Sequence, residues 1–557
     1  MARALVVVPP FLKYTAGPLL GPHLLQSAAR RHGHKCDVLD MNAQWIRHQI
    51  SARTTPLLST PNDRKGILSR TAQYSNLPYR SRFVGDHDKP MMVRSVSHVH
   101  DDAEATGATN VSLLSELEDQ FIKEAILPNL PFVSMGITTN NDGKHVEKES
   151  LANRIKFCYF DHADVRLAAT NIIESSNSLP RSMDFGAWIS EQLAKLGDLP
   201  PDLIGISLLH AGQVIPSVAI TMAARKLWPN ALIVFGGSHM SELGSDTLAQ
   251  DISNRGYAAD VFVTGHAEQT FVNLLDQLGL GRDSVSLSAM SNSQSNSVHD
   301  QGVEAPKLVL GQRLATPVAP RFDEADLIQY DQPVTLPAQS TLGCAYGRCK
   351  FCTYPAVEPK PVKLPLEIAV TSVVDQAVKR NDGTRICIKD SLVTPLRLEH
   401  IATKCVMGRA SWSACTKLHP KLINRDFLAR TLCEDGGLRT LEVGLESLYP
   451  ETQKRIDKIQ SQMIFERFVR TISQDVPDLS LVVNYITGFP WEADEANAKL
   501  HWGQDFIQTQ LGSRGCAEHN SLELERLSPM AQDPRKYGID VSKLRHWPWA
   551  AVVDQAS

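Results

Sequence analysis

Residues 340–355, STLGCAYGRCKFCTYP, contain three of the ten cysteines in this chain of 557 residues. Cys344, Cys349 and Cys352 follow the pattern Cys-x4-Cys-x2-Cys, whereas the other cysteines are scattered singly. Ten cysteines are too few for a disulfide scaffold in a chain of this length, so one local cluster indicates a metal site. Thiolates are soft ligands that favour zinc or an iron–sulfur cluster.

The number of Cys and His ligands near the loop distinguishes a zinc site from an iron–sulfur cluster. A structural zinc site needs four protein ligands, and no fourth Cys or His follows the cluster at zinc-finger spacing. Three cysteines on one loop suit a cubane cluster in which one iron keeps a position open for a substrate or cosubstrate. The loop therefore predicts an iron–sulfur site, with zinc and redox-active thiols as the alternatives.

Strand-like and helical stretches alternate through the second half of the chain, and the cysteine loop directly follows the first strand. Such alternation is typical of βα units in a parallel sheet, and six units suffice for a partial (βα)6 barrel of the TIM type. The chemistry of such a barrel collects at the carboxyl ends of its strands. The predicted strands are residues 334–338, 385–390, 412–418, 440–446, 479–486 and 520–527, with helices over 366–380, 398–407, 425–433 and 493–510.

Five segments, in order, resemble motifs of the radical S-adenosylmethionine (SAM) superfamily. The cysteine loop, with aromatic Phe351 before the last cysteine, is the first of them. The others are KDSLVTP (389–395), SACTKLHP (413–420), LEVGLES (441–447) and NYITGFPWE (484–492). The resemblance covers about residues 334–550 and is far more specific than the cysteines alone.

The resemblance implies that the three cysteines hold a 4Fe–4S cluster whose fourth iron binds SAM. An electron from a donor such as flavodoxin or ferredoxin would cleave SAM to methionine and a 5′-deoxyadenosyl radical, while the protein supplies orientation and excludes water. The common family spacing is Cys-x3-Cys-x2-Cys, and we expect the loop at Gly347 to absorb the extra residue. No catalytic residue is assigned. The residues assigned to SAM binding are Phe351, Thr416, Glu446 and Gly488.

The assigned residues lie at predicted strand ends. Glu446 accepts hydrogen bonds when ionised, which suits the ammonium or the ribose hydroxyls of SAM. Gly488 has no Cβ and would let the backbone approach the adenine. Thr416 and its neighbour Lys417 are candidates from their position alone. The alternative for each is an ordinary structural role at the end of a strand.

The first half of the chain has its own series of short apolar strands and amphipathic helices, which is typical of a doubly wound, Rossmann-like domain. Ligands of such a domain bind at the carboxyl ends of the strands. The predicted strands are residues 3–8, 36–41, 203–208, 232–235 and 260–264, with helices over 19–31, 214–227 and 271–278.

The sequence thus predicts two α/β domains joined by a linker. The first domain covers residues 1–282, and a polar, irregular insertion with one helical stretch over 113–126 interrupts it at about 43–200. Residues 283–333, rich in Ser and Asn at their start, form the linker. The barrel and a C-terminal extension occupy residues 334–557.

Four segments of the first half resemble the cobalamin-binding domain that precedes the barrel in one large branch of the superfamily. They are residues 9–42, 201–213, 233–243 and 263–271. Glycines at strand ends would let the backbone approach the flat corrin, although turn glycines also fit a generic Rossmann-like domain. The residues assigned to cobalamin are Gly21, Ser207, Gly236, Gly237 and Gly265.

Two histidines of these segments raise the question of a cobalt ligand. Classical cobalamin domains carry Asp-x-His-x-x-Gly, whose histidine ligates cobalt, and this chain contains no such run. His210 and His239 lie on the appropriate loops without that context. We therefore expect cobalamin to bind without a protein imidazole on cobalt.

Charge and composition restrict the classes of partner that we expect this protein to bind. The 57 Lys and Arg against 61 Asp and Glu give a net charge of −4, so no basic excess points to nucleic acid. No apolar stretch approaches the ~20 residues that a membrane helix needs, and the N-terminal MARALVVVPP resembles a buried strand more than a signal peptide. We expect a soluble, cytoplasmic protein that acts on a small molecule or a peptide, with no nucleic-acid or membrane partner.

The leading hypothesis is a cobalamin-dependent radical SAM enzyme that methylates an unactivated carbon in the biosynthesis of a specialised metabolite. The same cofactors would suit a rearrangement or cyclisation without methyl transfer, because the substrate pocket decides the outcome. Methylthiolation of transfer RNA fits less well, since no basic C-terminal RNA-binding domain is evident. The hypothesis of another class is a zinc-stabilised interaction protein without catalytic activity.

Overall fold

Two parallel β-sheets, one in each half of the chain, organise the structure. Most of the predicted insertion, with its helix over 113–126, lies outside the described residues, as do residues 283–306 of the predicted linker. The computed structural model describes residues 1–10, 16–54, 169–170, 172–173, 185–197, 200–209, 213–243, 259–281, 307–330, 333–405, 410–492, 494–539, 544–546 and 551–553.

The first sheet has six parallel strands in the order β2-β1-β3-β4-β5-β6. This order is doubly wound and changes direction between β1 and β3, as the Rossmann-like prediction requires. The strands are β1 Arg3–Val8, β2 Lys35–Asp40, β3 Leu203–Ser207, β4 Leu232–Gly236, β5 Val261–Thr264 and β6 Lys307–Leu310. The helices of this half are Leu20–Arg31, Met41–Thr54, Phe185–Ala194, Val214–Leu227, Ser238–Leu243 and Glu268–Leu280.

The strands at the centre of this sheet are buried on both faces, which explains their runs of Val, Ile and Leu. Successive residues of β1 supply the two faces. Val7 belongs to one apolar core together with Ile220, and Val6 belongs to a second core together with Phe271. Helices therefore cover the sheet on both sides and leave the carboxyl edge of its strands as the place for a ligand.

Strand β6 differs from the prediction, because the sequence analysis placed it in the linker. It pairs in parallel with β5 from Val261↔Lys307 to Thr264↔Leu310, so the first domain extends at least to Leu310. Four residues of a half-exposed edge strand, preceded by a long polar run, give too weak an apolar signal to be recognised.

The second sheet also has six parallel strands, in the order β14-β13-β12-β11-β10-β7. Strands β7 and β14 end the sheet, which agrees with the open (βα)6 barrel that the sequence predicts. The strands are β7 Thr335–Ala338, β10 Arg385–Ile388, β11 Ser411–Thr416, β12 Leu438–Glu446, β13 Ser480–Thr487 and β14 Gly515–Ser521. Two short strands, β8 Thr341–Leu342 and β9 Val362–Lys363, form a hairpin, and β15 Glu523–Leu524, β16 Leu544–His546 and β17 Ala551–Val553 form a small antiparallel sheet.

The helices of the second half lie between its strands, as predicted. They are Tyr354–Val357, Ser372–Arg380, Pro395–Lys404, Pro450–Arg455, Gln462–Asp475 and Asp494–Leu511, with π-helical segments Glu367–Thr371 and Asp426–Glu434. A four-residue helix, Glu324–Leu327, precedes the barrel. None of the helices in the described ranges is both long and apolar enough to cross a membrane.

Two boundaries differ from the sequence prediction for physical reasons. The helix predicted over 398–407 begins at Pro395, because the Thr394 side chain caps it by accepting a hydrogen bond from the amide of Arg397. The sixth barrel strand is Gly515–Ser521 instead of 520–527. Its sequence GCAEHNS carries polar residues on the inner face of the barrel. The strand therefore lacks the alternation of apolar and polar residues by which a strand is recognised in a sequence.

A buried hydrogen bond joins the first domain to the barrel. The Tyr330 hydroxyl donates to an Asp40 carboxylate oxygen at 2.8 Å, and Asp40 also accepts from the amide of Ala43 at 2.9 Å. Burial raises the pKa of Asp40 to about 6, although these hydrogen bonds oppose the shift. Tyr330 belongs to the core of the barrel, so the contact fixes the first domain against it.

We expect Tyr330→Phe to lower the stability by about 1–3 kcal/mol, because it leaves a buried carboxylate without its donor. A folded-state pKa of Asp40 above the unfolded value means that ionisation costs stability as the pH rises through about 6. The loss should therefore be larger at pH 8 than at pH 5 in thermal unfolding. Tyr537→Phe is the matched control, and equal losses at both pH values would contradict the assignment.

Candidate functional site

The cysteine loop begins at a buried polar network on the barrel wall. The Ser340 amide and hydroxyl each donate to Asp390 at 2.6 Å, and the Arg397 guanidinium donates to the Ser340 hydroxyl at 3.0 Å. Burial raises the pKa of Asp390, and the Ser340 hydrogen bonds oppose this shift. The KDSLVTP segment therefore supports the start of the loop, since Asp390 follows β10.

The three cysteines are half-buried, and no disulfide joins them. Burial raises the pKa of Cys349 to about 12; nearby Lys458 lowers it, while Cys352, Glu446 and Cys344 raise it further. Cys349 therefore lies close enough to the other two thiols, and to Glu446 at the end of β12, for their charges to interact. Gly347 has φ +59, a left-handed conformation that glycine adopts without strain, in agreement with the expected role in absorbing the extra residue.

The donor set fits an iron–sulfur cluster by chemistry. Within the described part of the chain, no three His, Cys, Asp or Glu side chains lie close enough together to share a single metal ion. A cubane uses its thiolates on different irons, so the fit rests on ligand type and on the loop that carries them. Cys344, Cys349 and Cys352 would hold such a cluster.

Tyr346, which lies in the longer gap of the cysteine pattern, anchors the loop. Its hydroxyl donates to the carbonyl of Asp457 at 2.7 Å, and the Lys417 ammonium lies 4.0 Å from the centre of its ring. The backbone amide of Lys350 donates to the carbonyl of Ile456 at 3.0 Å. The loop therefore packs on residues 456–458, a contact that the sequence analysis missed because the two segments lie far apart in the chain.

Glu446 ends β12 in a buried ion pair. The Lys458 ammonium donates to the Glu446 carboxylate at 2.7 Å, and the two side chains are only 9% and 5% exposed. A Cβ at Gly444 would come within 2.8 Å of both charged groups, so glycine leaves the room that they occupy. One oxygen of Glu446 thus already has a protein ammonium as partner, while its assignment to SAM stays a prediction.

The other residues assigned to SAM lie on the cysteine loop, at the end of β11 and just after β13. Phe351 packs beside Ile456 and Phe489, and Gly488 follows β13 with φ +86. The Thr416 hydroxyl donates to the carbonyl of Val393 at 2.7 Å and is buried, which is a structural role. Burial lowers the pKa of Lys417, and neighbouring Lys458 lowers it further. No contact with SAM is established for any of them.

A second polar group, which the sequence analysis missed, lies deeper in the barrel. The Asn484 side-chain amide donates to Glu442, and both residues are buried. Burial raises the pKa of Glu518 to about 7, and the charge of Glu442 adds to the shift. The available signal was a polar residue between apolar neighbours in two of the strands, at Glu442 and at Asn484.

The glycines assigned to cobalamin lie at the carboxyl edge of the first sheet. Gly265 has φ +78, and no atom lies within 4 Å of a Cβ built there or at Gly21. At Gly236 the nearest atom would be the carbonyl oxygen of Val263, at 3.7 Å. Space for a ligand therefore exists at these positions. Ser207, half-buried, pairs with Gly236 at the same edge.

Gly237 requires a different explanation from the one that the sequence suggested. Its φ is +107, and a Cβ there would lie 2.1 Å from the carbonyl oxygen of Leu208. The backbone of the protein itself demands glycine at this position, and the assignment of Gly237 to cobalamin stays a prediction. His239 is buried nearby, and His210 lies outside the described residues.

The loops of the two sheets adjoin. The His266 imidazole lies 2.6 Å from a carboxylate oxygen of Glu358, and helix Ser238–Leu243 packs against helix Tyr354–Val357. His266 follows Gly265, whereas Glu358 lies just beyond the last cysteine. The thiols of the barrel and the glycine loops of the first domain are therefore held at one interface.

Comparison with known proteins supports this architecture, although no protein-family model matches the chain. The ribosomal protein uS12 methylthiotransferase RimO of Carboxydothermus hydrogenoformans is 24% identical over 181 residues, or 31% of this chain and 41% of RimO. RimO of Elusimicrobium minutum is 24% identical over 179 residues, or 30% of this chain and 41% of the relative. The match thus spans about two fifths of these relatives.

Two solved structures share the arrangement more broadly. The radical SAM methyltransferase TsrM of Kitasatospora setae, solved with cobalamin and a [4Fe-4S] cluster, has a TM-score of 0.52 and 14% identity, covering 98% of this chain and 77% of TsrM. The cobalamin-dependent SAM radical enzyme OxsB, solved with aqua-cobalamin and SAM, has a TM-score of 0.50 and 16% identity, covering 67% and 59%. The chain therefore has the fold of the cobalamin-dependent radical SAM enzymes, the family that its motifs resemble.

Proposed function

We propose that this protein is a cobalamin-dependent radical SAM enzyme, and specifically a C-methyltransferase that acts on an unactivated carbon of a small molecule or peptide in specialised-metabolite biosynthesis. The observation that carries the proposal is the shared interface between the cysteine loop and the glycine loops, marked by His266 and Glu358 at 2.6 Å. This reaction requires two cofactors to reach one substrate. Loops of the two domains that adjoin one another are consistent with this requirement.

On the barrel side, Cys344, Cys349 and Cys352 would hold the iron–sulfur cluster. When bound and reduced, the cluster supplies the electron that cleaves SAM, drawn from a donor such as flavodoxin or ferredoxin. The chain's own contribution is orientation. The Glu446–Lys458 pair presents both a carboxylate and an ammonium near the thiols, which matches the ammonium and carboxylate of the SAM methionine group.

On the first domain, the open positions at Gly21 and Gly265, together with Gly236 and Ser207, would receive cobalamin, which supplies the methyl group. Among the described residues, no atom lies within 4 Å of a Cβ built at Gly21 or Gly265, so neither position obstructs the approach of a flat ring. Gly237 supports the loop instead, since its Cβ position is filled by Leu208.

Methylthiolation is the second candidate, favoured by the similarity to RimO. The similarity covers under a third of this chain and about two fifths of RimO, so it supports methylthiolation over only part of the chain. A rearrangement or cyclisation uses the same cofactors. Mass spectrometry of products from isotopically labelled methyl-SAM separates all three, because only methyl transfer adds the label without sulfur.

Anaerobically reconstituted protein should contain about four iron and four sulfide per chain, as one cubane implies. The triple variant Cys344→Ala/Cys349→Ala/Cys352→Ala should lose both while keeping its circular dichroism spectrum. Cys516→Ala, at a half-buried single cysteine, is the control and should keep the cluster. An unchanged iron content in the triple variant, or a wild type that binds only zinc, would contradict the proposal.

Variants of the Glu446–Lys458 pair test the SAM assignment. Glu446→Gln removes the carboxylate that pairs with the buried Lys458 ammonium, which should destabilise the protein by about 3–5 kcal/mol and weaken SAM binding about tenfold. The double variant Glu446→Gln/Lys458→Met removes both charges and should recover stability without recovering SAM affinity, measured by calorimetry. Recovery of both would show that the pair is only structural.

Gly265→Leu should abolish the retention of cobalamin without changing the iron content, because a branched side chain fills the open position. Gly33→Leu is the matched control: its φ of +83 and open surroundings impose the same backbone strain, and it precedes β2 at the opposite edge of the sheet. His210→Ala and His239→Ala should leave the cobalt spectrum unchanged. Equal loss of cobalamin in both glycine variants would remove the assignment of this edge.

A further inference from the structure

The inner wall of the barrel carries a group of acceptors that the proposed reaction has not used. Along β12, Leu441 and Val443 belong to the apolar core that also contains Phe468 of the outer helices. Since neighbouring residues of a strand point to opposite faces, Glu442 points into the barrel. Gly444, next on this inner face, lies beside the Glu446–Lys458 pair.

Asn484 and Glu518 complete the group on the next two strands. Asn484 pairs in register with Gly444 of β12 and with Glu518 of β14, so the three polar residues occupy adjacent positions of the sheet. The Asn484 amide donates to Glu442, which fixes its nitrogen and leaves its oxygen facing away from that carboxylate. We call Glu442, Asn484 and Glu518 the lumen acceptors.

The Asn484 oxygen is the independent sign of a ligand. Asn484 is only 3% exposed, and its side-chain oxygen has no hydrogen-bond partner among the described residues. A buried acceptor without a donor has lost its hydrogen bonds to water and gained none in return. Glu442 and Glu518 place two carboxyl groups beside it; burial raises the pKa of Glu518 to about 7, and the charge of Glu442 raises it further. A cation bearing N–H groups would relieve both costs.

We propose that the lumen acceptors bind a protonated amine of the substrate. An ammonium has three N–H donors and no acceptor, and it meets two carboxyl groups and one amide oxygen here. The inference rests on the proposed function for its setting, because the lumen acceptors lie on the inner face roughly 7–13 Å along the strands from Glu446, at about 3.3 Å per residue. The amine would anchor the substrate while its reacting carbon stays near the thiols and the glycine loops.

This chemistry selects one class of substrate. A carboxylate or phosphate would face Glu442 and Glu518 with like charge, whereas a neutral alcohol would supply a single donor. Glu518 is half-buried on the end strand of the open sheet, so an approach to the group exists from that side. The substrate is therefore an amine or an amino acid derivative whose ammonium enters first.

The test compares two probes of nearly equal shape, benzylamine and benzyl alcohol, on reconstituted holoenzyme by anaerobic calorimetry. Benzylamine should bind at least about tenfold more tightly, the ratio expected when a charged hydrogen bond is gained. Glu518→Gln keeps the shape of the side chain and should abolish this preference. Asn484→Leu should reduce it as well, and Glu451→Gln on the exposed helix Pro450–Arg455 should leave it unchanged.

Equal binding of both probes by the wild type, or a preference that survives in Glu518→Gln, would overturn the inference. Iron content and the circular dichroism spectrum of each variant show that a loss of preference is not a loss of fold. Formation of 5′-deoxyadenosine without substrate is measured in parallel on the wild type. Its absence together with an intact amine preference would refute the proposed function alone, whereas its presence without the preference would refute the lumen acceptors alone.

Discussion

The buried ion pair between Glu446 and Lys458 determines the geometry of the barrel mouth. Two charges so far from water are stable only when they are paired, so each side chain fixes the position of the other. Glu446 ends a barrel strand, and Lys458 closes the segment on which the cysteine loop packs. Positive φ angles at Glu446 and Asp457, +66 and +54, show that the backbone adopts an uncommon conformation to make this contact.

A shared site needs two sheets whose functional edges meet. A parallel sheet gathers the loops that follow its strands at one edge, and each half of this chain contains such a sheet. The contacts that bring the halves together include Asp40 with Tyr330, Arg30 with Asp323 at 2.6 Å, and His266 with Glu358. The last lies between the candidate sites themselves, so the interface is part of the site and not merely a junction.

The sequence predicted the features that depend on local pattern. Runs such as LVVV in β1 and LIGIS in β3 are recognisable because both faces are buried, and the five ordered motifs located the barrel and its cysteine loop. Features that depend on contacts between residues far apart in the sequence were not predicted. The Tyr346 hydroxyl meets the carbonyl of Asp457, 111 residues further along the chain, and the need for glycine at position 237 arises from Leu208.

The same difference between local pattern and distant contacts explains why the sequence did not predict the lumen acceptors. Glu442 stands between Leu441 and Val443, and Asn484 between Val483 and Tyr485, so each alone resembles an isolated polar exception in a strand. Only the register of β12, β13 and β14 shows that they form one group. Strand β6 was missed for the opposite reason, because its four residues gave too little pattern.

The docking of Tyr346 on the carbonyl of Asp457 has an evolutionary consequence. An inserted residue in a metal-binding loop usually displaces the ligands, but here the longer gap holds an aromatic ring that fastens the loop from outside, and Gly347 completes the turn in a left-handed conformation. Deleting Tyr346 would restore the common spacing and remove this anchor, whereas deleting one of its neighbours in the gap would shift the ring relative to Asp457. The two lengths of loop are thus separate solutions, and a lineage that has acquired the longer one has no easy single step back.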